Sequence, residues 1–254
     1  TDVGVNAEIK SHGVLARKVR YGTGNIARER AMSEEETLRA MAIGMELAAQ
    51  AKRDGVGAVG IGEMGIGNTT TSSAVLAALT GAPVEALTGR GGGLTDSAFE
   101  TKKRVIQQAL DLHRPPQDDP VAVLSMVGGL DLAAMTGAFL GCAREGVAAV
   151  ADGFISVVAA LCAARLCPAA KDMMFLSHAS YEVGYRLAAD ELGLEPCLLL
   201  GMRLGEGSGC PLMFRVLQGA CAVLRDMATF AEGEIQDDYL APIRAMDAFT
   251  VENT

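Results

Sequence analysis

Val56-Gly57-Ala58-Val59-Gly60-Ile61-Gly62-Glu63-Met64-Gly65-Ile66-Gly67-Asn68-Thr69-Thr70 sets the fold class. The apolar run Val56 to Ile61 reads as a buried strand and a glycine-rich turn follows it. Thr70 to Leu79 is a small-residue helix, with Gly81 placed to stop it. Upstream, Ser33-Glu34-Glu35-Glu36 is a capping box, and Leu38, Met41, Ala42, Met45 and Ala49 recur at helical spacing until Gly55.

The unit recurs downstream. Thr95 or Asp96 opens a helix to about His113, and Pro115 to Pro120 is a linker. Val121 to Met126 is predicted as a strand, Val127-Gly128-Gly129 as a turn and Asp131 to Arg144 as a helix. Val147 to Ala151 is a strand that leads through Asp152-Gly153 into a helix, Ile155 to Leu166, apolar nearly all round. Strands at Met173 to Leu176 and Cys197 to Leu200 flank a helix around Glu182 to Leu192. After Gly201 to Gly209 comes a further helix with Pro211 in its first turn. This order predicts an α/β fold, a three-layer α/β/α arrangement with a mostly parallel sheet. Ligands of such folds sit beyond the carboxyl ends of the strands. The turns after Ile61, Met126 and Leu200 are therefore expected to converge on one sheet edge.

The 254 residues carry a formal net charge of -9, so a broad nucleic-acid footprint is excluded while a small phosphorylated ligand is not. With 50% hydrophobic but only 4% aromatic residues, the core is built from Ala, Leu, Val and Met. Cys142, Cys162, Cys167, Cys197, Cys210 and Cys221 lie in apolar runs without a Cys-x-x-Cys pair, as reduced core residues of a cytosolic protein do. His12, His113 and His178 have no metal-ligand spacing. The longest apolar stretch, Phe154 to Leu166, is broken by Arg165 and too short to span a bilayer.

Three turns carry candidate chemistry. Gly62 to Asn68 lacks Gly-Lys-Ser/Thr and the Gly-x-Gly-x-x-Gly spacing. It still presents glycines and then Asn68, Thr69, Thr70 and Thr71 at a helix start, which can cradle a phosphate or simply cap the helix. Thr88-Gly89-Arg90-Gly91-Gly92-Gly93 precedes a helix carrying Lys102, Lys103 and Arg104, which can reach a phosphate or form a solvated face. Glu206 stands between Gly205 and Gly207, after a strand and before an apolar helix. A carboxylate sheltered there would gain proton affinity and serve as a general base; the alternative is exposure on a loop.

Gly62 to Thr70, Val127-Gly128-Gly129-Leu130-Asp131, Leu176-Ser177-His178-Ala179-Ser180 and Met202 to Gly209 together resemble nicotinate-nucleotide:dimethylbenzimidazole phosphoribosyltransferase, from about Asp2 to Phe230. The resemblance implies transfer of ribose 5-phosphate from nicotinate mononucleotide to dimethylbenzimidazole or a related base, by single displacement with Glu206 as general base. It implies Glu63, Gly65, Gly67, Asn68, Thr69, Lys102, Gly128, Gly129, Asp131, Ser180 and Gly205 around the nucleotide, and Leu204 at the base site. It further implies a cytoplasmic homodimer, or a paired homologous subunit, with no metal or organic cofactor. A small helical lobe is implied too, with a main domain over residues 1–230 and a C-terminal helical segment over 231–254 packing with that lobe. Family members carry a helical segment ahead of the Asp2-Val3-Gly4-Val5 strand, and the chain opens on that strand, so part of the base-pocket wall is expected to be missing. A transferase acting on purines or phenols, or a catalytically silent shortened subunit, are the alternatives.

Overall fold

The computed structural model describes residues 1–236, 238 and 241–245. In chain order its elements are α1 (Glu34–Arg53), β1 (Ala58–Ile61), α2 (Asn68–Thr80), α3 (Val84–Leu87), α4 (Asp96–His113), α5 (Pro120–Val127) and α6 (Leu130–Glu145). Then come β2 (Ala148–Ala151), α7 (Phe154–Leu166), a 3-10 turn (Pro168–Met173), β3 (Met174–His178), α8 (Tyr185–Leu192), β4 (Pro196–Leu198), α9 (Cys210–Asp226) and α10 (Ala241–Ala245). The four strands form one sheet in the order β1-β2-β3-β4, every pair parallel. Ala58 to Ile61 lie beside Ala148 to Ala151.

Parallel crossovers are right-handed, so a monotonic strand order sends every connection across the same face. There α1 packs on α6, α6 on α7 and α7 on α8. Because α2 and α5 cover α7 from beyond, Phe154 to Ala164 are buried without a break, and α7 needs no polar face. On the opposite face Gly60 leaves room for the start of α9: a Cβ there would lie 2.6 Å from the Cys210 Cβ and 3.2 Å from the Phe214 ring. Helices thus lie on both sides of the sheet, as the sequence pattern predicts.

Local signals explain most boundaries. Ser33 and Glu36 close the capping box of α1, each side chain bonded to the other's backbone amide. Gly81 ends α2 at φ 72, a left-handed geometry that glycine adopts without strain. The crossing of α1 over α6 depends on Gly44, Gly137 and Gly141: a Cβ on Gly137 would run into the Met41 carbonyl, and one on Gly44 into the Ala134 carbonyl.

Two segments differ in kind from the expectation, and the first is Asp2 to Val5, expected as a strand, which holds only an isolated bridge from Asp2 to Ala16. The second, residues 121–126, is helical, inside α5, rather than a strand. Asp119 caps the segment by accepting from the Ala122 amide, Pro120 sits in the first turn, and the segment is buried among α1, α2 and α4. A short apolar run with no polar face has no readable period. The turn at Gly128-Gly129 therefore joins two helices, not a strand to a helix. The cysteines divide as well. Cys142, Cys162 and Cys210 are buried as expected, with burial raising the last two thiols to about 12, but Cys167, Cys197 and Cys221 are exposed.

The chain divides into two compact units, Thr1–Phe214 and Arg215–Thr254. The second holds the remainder of α9, a turn in which Thr229 and Glu232 cap each other, and α10. Much of the expected 231–254 segment, including residues 246–254, lies outside the described residues. Among those described, no helix is long and apolar enough to cross a membrane.

Candidate active site

The strand ends enclose a cleft of about 200 Å³ between the turn after β1, the starts of α2 and α7, the turn after β3 and the loop after β4. Gly67, left-handed at φ 84, directs the chain into α2 so that Asn68 opens the helix. Asn68 Nδ2 donates to Glu63 and, at 2.9 Å, to Asp131 Oδ2. Burial raises the proton affinity of Glu63 most. The Asn68 bond opposes that, and the Asp131, Asp152 and Glu206 carboxylates add to it.

Lys102 is buried on α4, and its Nζ donates to Thr69 Oγ1 at 2.9 Å and to the Gly89 carbonyl at 2.8 Å. Burial holds it below the usual lysine range, and the Glu182 carboxylate works against that shift. The ammonium therefore stands one residue behind the cleft wall, with Thr69 between.

Glu206 lies on the loop after β4, in a run of three left-handed residues: Gly205 at φ 78, Glu206 at 58 and Gly207 at 75. Among the described residues only Arg114 and Glu234 share that geometry without being glycine. The Glu206 side chain is exposed, the second of the two readings of its loop, and the carboxylate whose proton affinity burial raises is Glu63. The reason is geometric: the glycines on either side offer no cover, and neighbouring Leu204 is itself 68% exposed.

Of the expected residues, Glu63, Gly65, Asn68, Thr69, Ser180, Leu204, Gly205 and Glu206 line the cleft. Gly67, Lys102 and Asp131 support it from behind. Gly128 and Gly129 do not reach it: Gly128 faces the Leu124 backbone, and Gly129 lies against the Asp131 carboxylate.

Sequence reasoning passed over Asp152, Ser156 and Glu182, which also line the cleft. Asp152 is 2% exposed and accepts from the Gly207 amide at 3.0 Å and the Gly209 amide at 2.7 Å. Ser156 Oγ donates to the Ile61 carbonyl at 2.6 Å, fastening α7 to the end of β1. The missed signal was Asp152-Gly153 at the carboxyl end of a strand, the position already used to choose the other turns. His178, under the same loop, has Nδ1 2.9 Å from Ser177 Oγ and 4.0 Å from Asp152, and burial holds it below the usual histidine range against the pull of Asp152.

Residues 1–235 match the family model DBI_PRT, described as Phosphoribosyltransferase. A nicotinate-nucleotide--dimethylbenzimidazole phosphoribosyltransferase of Clostridium perfringens is 49% identical over 250 residues, 98% of this chain and 69% of that protein. The Geobacter sulfurreducens protein of the same name is 46% identical over 240 residues, 94% of this chain and 68% of its own length. The crystal structure of CobT from Thermus thermophilus superposes with a TM-score of 0.88 at 40% identity, covering 93% of this chain and 71% of that one.

Proposed function

The chain belongs to the phosphoribosyltransferase family, a family of transferase enzymes, and from that premise we propose that it moves ribose 5-phosphate from nicotinate mononucleotide to dimethylbenzimidazole or a related base. One observation carries the proposal. A single strand-end cleft joins an exposed carboxylate on a glycine-framed loop, Glu206, to a helix start and glycine turn backed by the Lys102 ammonium.

The nucleotide's phosphate takes the side of Thr69, Gly91 and Gly92, where backbone amides and the Lys102 charge favour an anion. The acceptor base takes the side of Leu204 and Glu206. Nicotinate leaves readily because its ring nitrogen is cationic in the mononucleotide. The C1′–N bond loosens as a base nitrogen attacks from the opposite face, converting a β-nucleotide into an α-nucleotide. Glu206 accepts the proton from the other base nitrogen, so the base ring of the product leaves uncharged. General-base help of this kind contributes about 10²–10⁴-fold. Glu63, Asp131, Asp152 and Glu206 make this end of the sheet negative, which suits positive charge developing on the sugar.

Incubation with nicotinate mononucleotide and dimethylbenzimidazole, followed by mass spectrometry, should reveal α-ribazole phosphate and nicotinate. Product from purines or phenols alone would overturn the choice of acceptor. Nicotinate mononucleotide should also raise the melting temperature far more than nicotinate riboside, which lacks the phosphate; equal shifts would overturn the phosphate site.

Association as a two-fold homodimer belongs to the same proposal. Val216, Val223 and Leu224 are exposed at helical spacing along α9, followed by exposed Met227, Phe230 and Ile235. An apolar stripe of this kind favours a covering partner, and symmetric pairs are the commonest closed assembly. Sedimentation should show a dimer at micromolar concentration, and a purely monomeric folded sample would contradict it. Six unpaired cysteines favour a reducing compartment such as the cytoplasm.

A further inference from the structure

Glu206 stands in the middle of three successive left-handed residues, a path that a non-glycine residue keeps only where its surroundings enforce it. The enforcement is visible on the far side of the loop. Both carboxylate oxygens of Asp152 accept from backbone: Oδ2 from the Gly207 amide and Oδ1 from the Gly209 amide, one and three residues after Glu206. We propose that Asp152 is the positioning residue of the Glu206 loop, a buried anion that clamps the backbone on which the catalytic carboxylate is carried. This inference rests on the assignment of Glu206 as the base, and adds to it the group that fixes where the base stands.

The clamp is held rigidly. Asp152 directly follows β2; its amide donates to the Ile61 carbonyl of β1 at 3.2 Å, and its own carbonyl accepts from Ser177 Oγ of β3 at 2.9 Å. Three strands thus fix one carboxylate. The loop lies on it without clearance: a Cβ on Gly62 would come 2.5 Å from the Gly207 nitrogen, and one on Gly209 2.6 Å from Ser177 Oγ. The Gly209 amide also immediately precedes the first turn of α9, where the helix dipole favours a negative charge. Each oxygen already accepts a backbone amide of the loop, so the main action of Asp152 runs through the backbone that carries Glu206.

Asparagine at this position keeps the size but offers one acceptor oxygen, and its NH₂ group meets an amide donor. Asp152→Asn should lower kcat by roughly 10²-fold, the scale of a base displaced by about 1 Å, while the KM for nicotinate mononucleotide stays within about threefold. The decisive reading is a double-mutant cycle. In a Glu206→Gln background the same substitution should cost nothing further. Undiminished kcat in Asp152→Asn beside a defective Glu206→Gln would overturn the clamp and leave the base assignment standing. Equal losses in both backgrounds would show that Asp152 acts independently of Glu206, and would also overturn it. Normal turnover in Glu206→Gln would remove the base assignment and the clamp with it. Hydrogen exchange on the unaltered chain is a second measurement that needs no variant to fold: the Gly207 amide should exchange slowly despite lying in a loop, and rapid exchange there would overturn the proposal.

Discussion

Glu206→Gln is expected to lower turnover by roughly 10²-fold or more while leaving the affinity for nicotinate mononucleotide intact. Glutamine keeps the shape of the side chain and removes only its capacity to take a proton. The loop itself is held through backbone amides, Gly207 and Gly209 to Asp152, and through the Tyr181 amide donating to the Met202 carbonyl at 3.2 Å, none of which uses the Glu206 side chain. The phosphate side of the cleft is equally untouched. Steady-state kinetics at neutral pH, paired with calorimetry of the mononucleotide, separates the two effects, and unchanged turnover would remove Glu206 from its role. The substitution should also be felt at Glu63. One of the three carboxylates that raise its proton affinity is then gone, so Glu63 should titrate closer to the ordinary carboxylate range.

Gly137→Val is expected to cost about 3 kcal/mol of stability, the upper range of overpacking a tight core, and to lower the melting temperature by about 6–12 °C. The side chain would be driven into the Met41 carbonyl of α1, a backbone atom that cannot swing aside. Helices α1 and α6 would have to separate along a contact that buries Ala40, Met41 and Ala48 against Ala133 and Gly137. Gly57→Ala is the control. Nothing lies within 4 Å of its missing Cβ, so its melting temperature should stay close to that of the unaltered chain. A Gly137→Val protein as stable as the Gly57→Ala control would show that the crossing can relax.

Signals that are local in the chain were legible, and those created by packing were not. Ser33 and Glu36, Thr95 and Gly81 mark helix ends because each satisfies or interrupts backbone bonds within a few residues of itself. Residues 121–126 misled because a segment buried on all sides loses the polar face that distinguishes a helical period from a strand's. At the cleft, Glu206 and the turn from Glu63 to Thr69 were found by their glycines and motif. Lys102 was found as well, but its route through Thr69 depends on a contact across 33 residues. Asp152 was missed since an aspartate before a glycine reads as a turn former, and only the return of residues 207–209 to the same point shows its partners. Shelter and exposure of Glu206 stayed open in the sequence for the same reason: glycines predict mobility of direction, while cover depends on what else arrives.

The register of β1 on β2 sets a timetable for synthesis. Residues 62–147 lie between Ile61 and its neighbouring strand, so at about 5–20 residues per second a ribosome leaves β1 without its partner for roughly 4–17 s. Helix α1 waits for α6 over a comparable interval, with the stripe of Met41, Ile43 and Ala48 uncovered. By contrast β2, β3 and β4 follow one another closely and can assemble as they emerge. The segment from α1 to β1 is therefore the part most in need of a chaperone during translation, and the cleft is complete only once the loop through Glu206 has emerged.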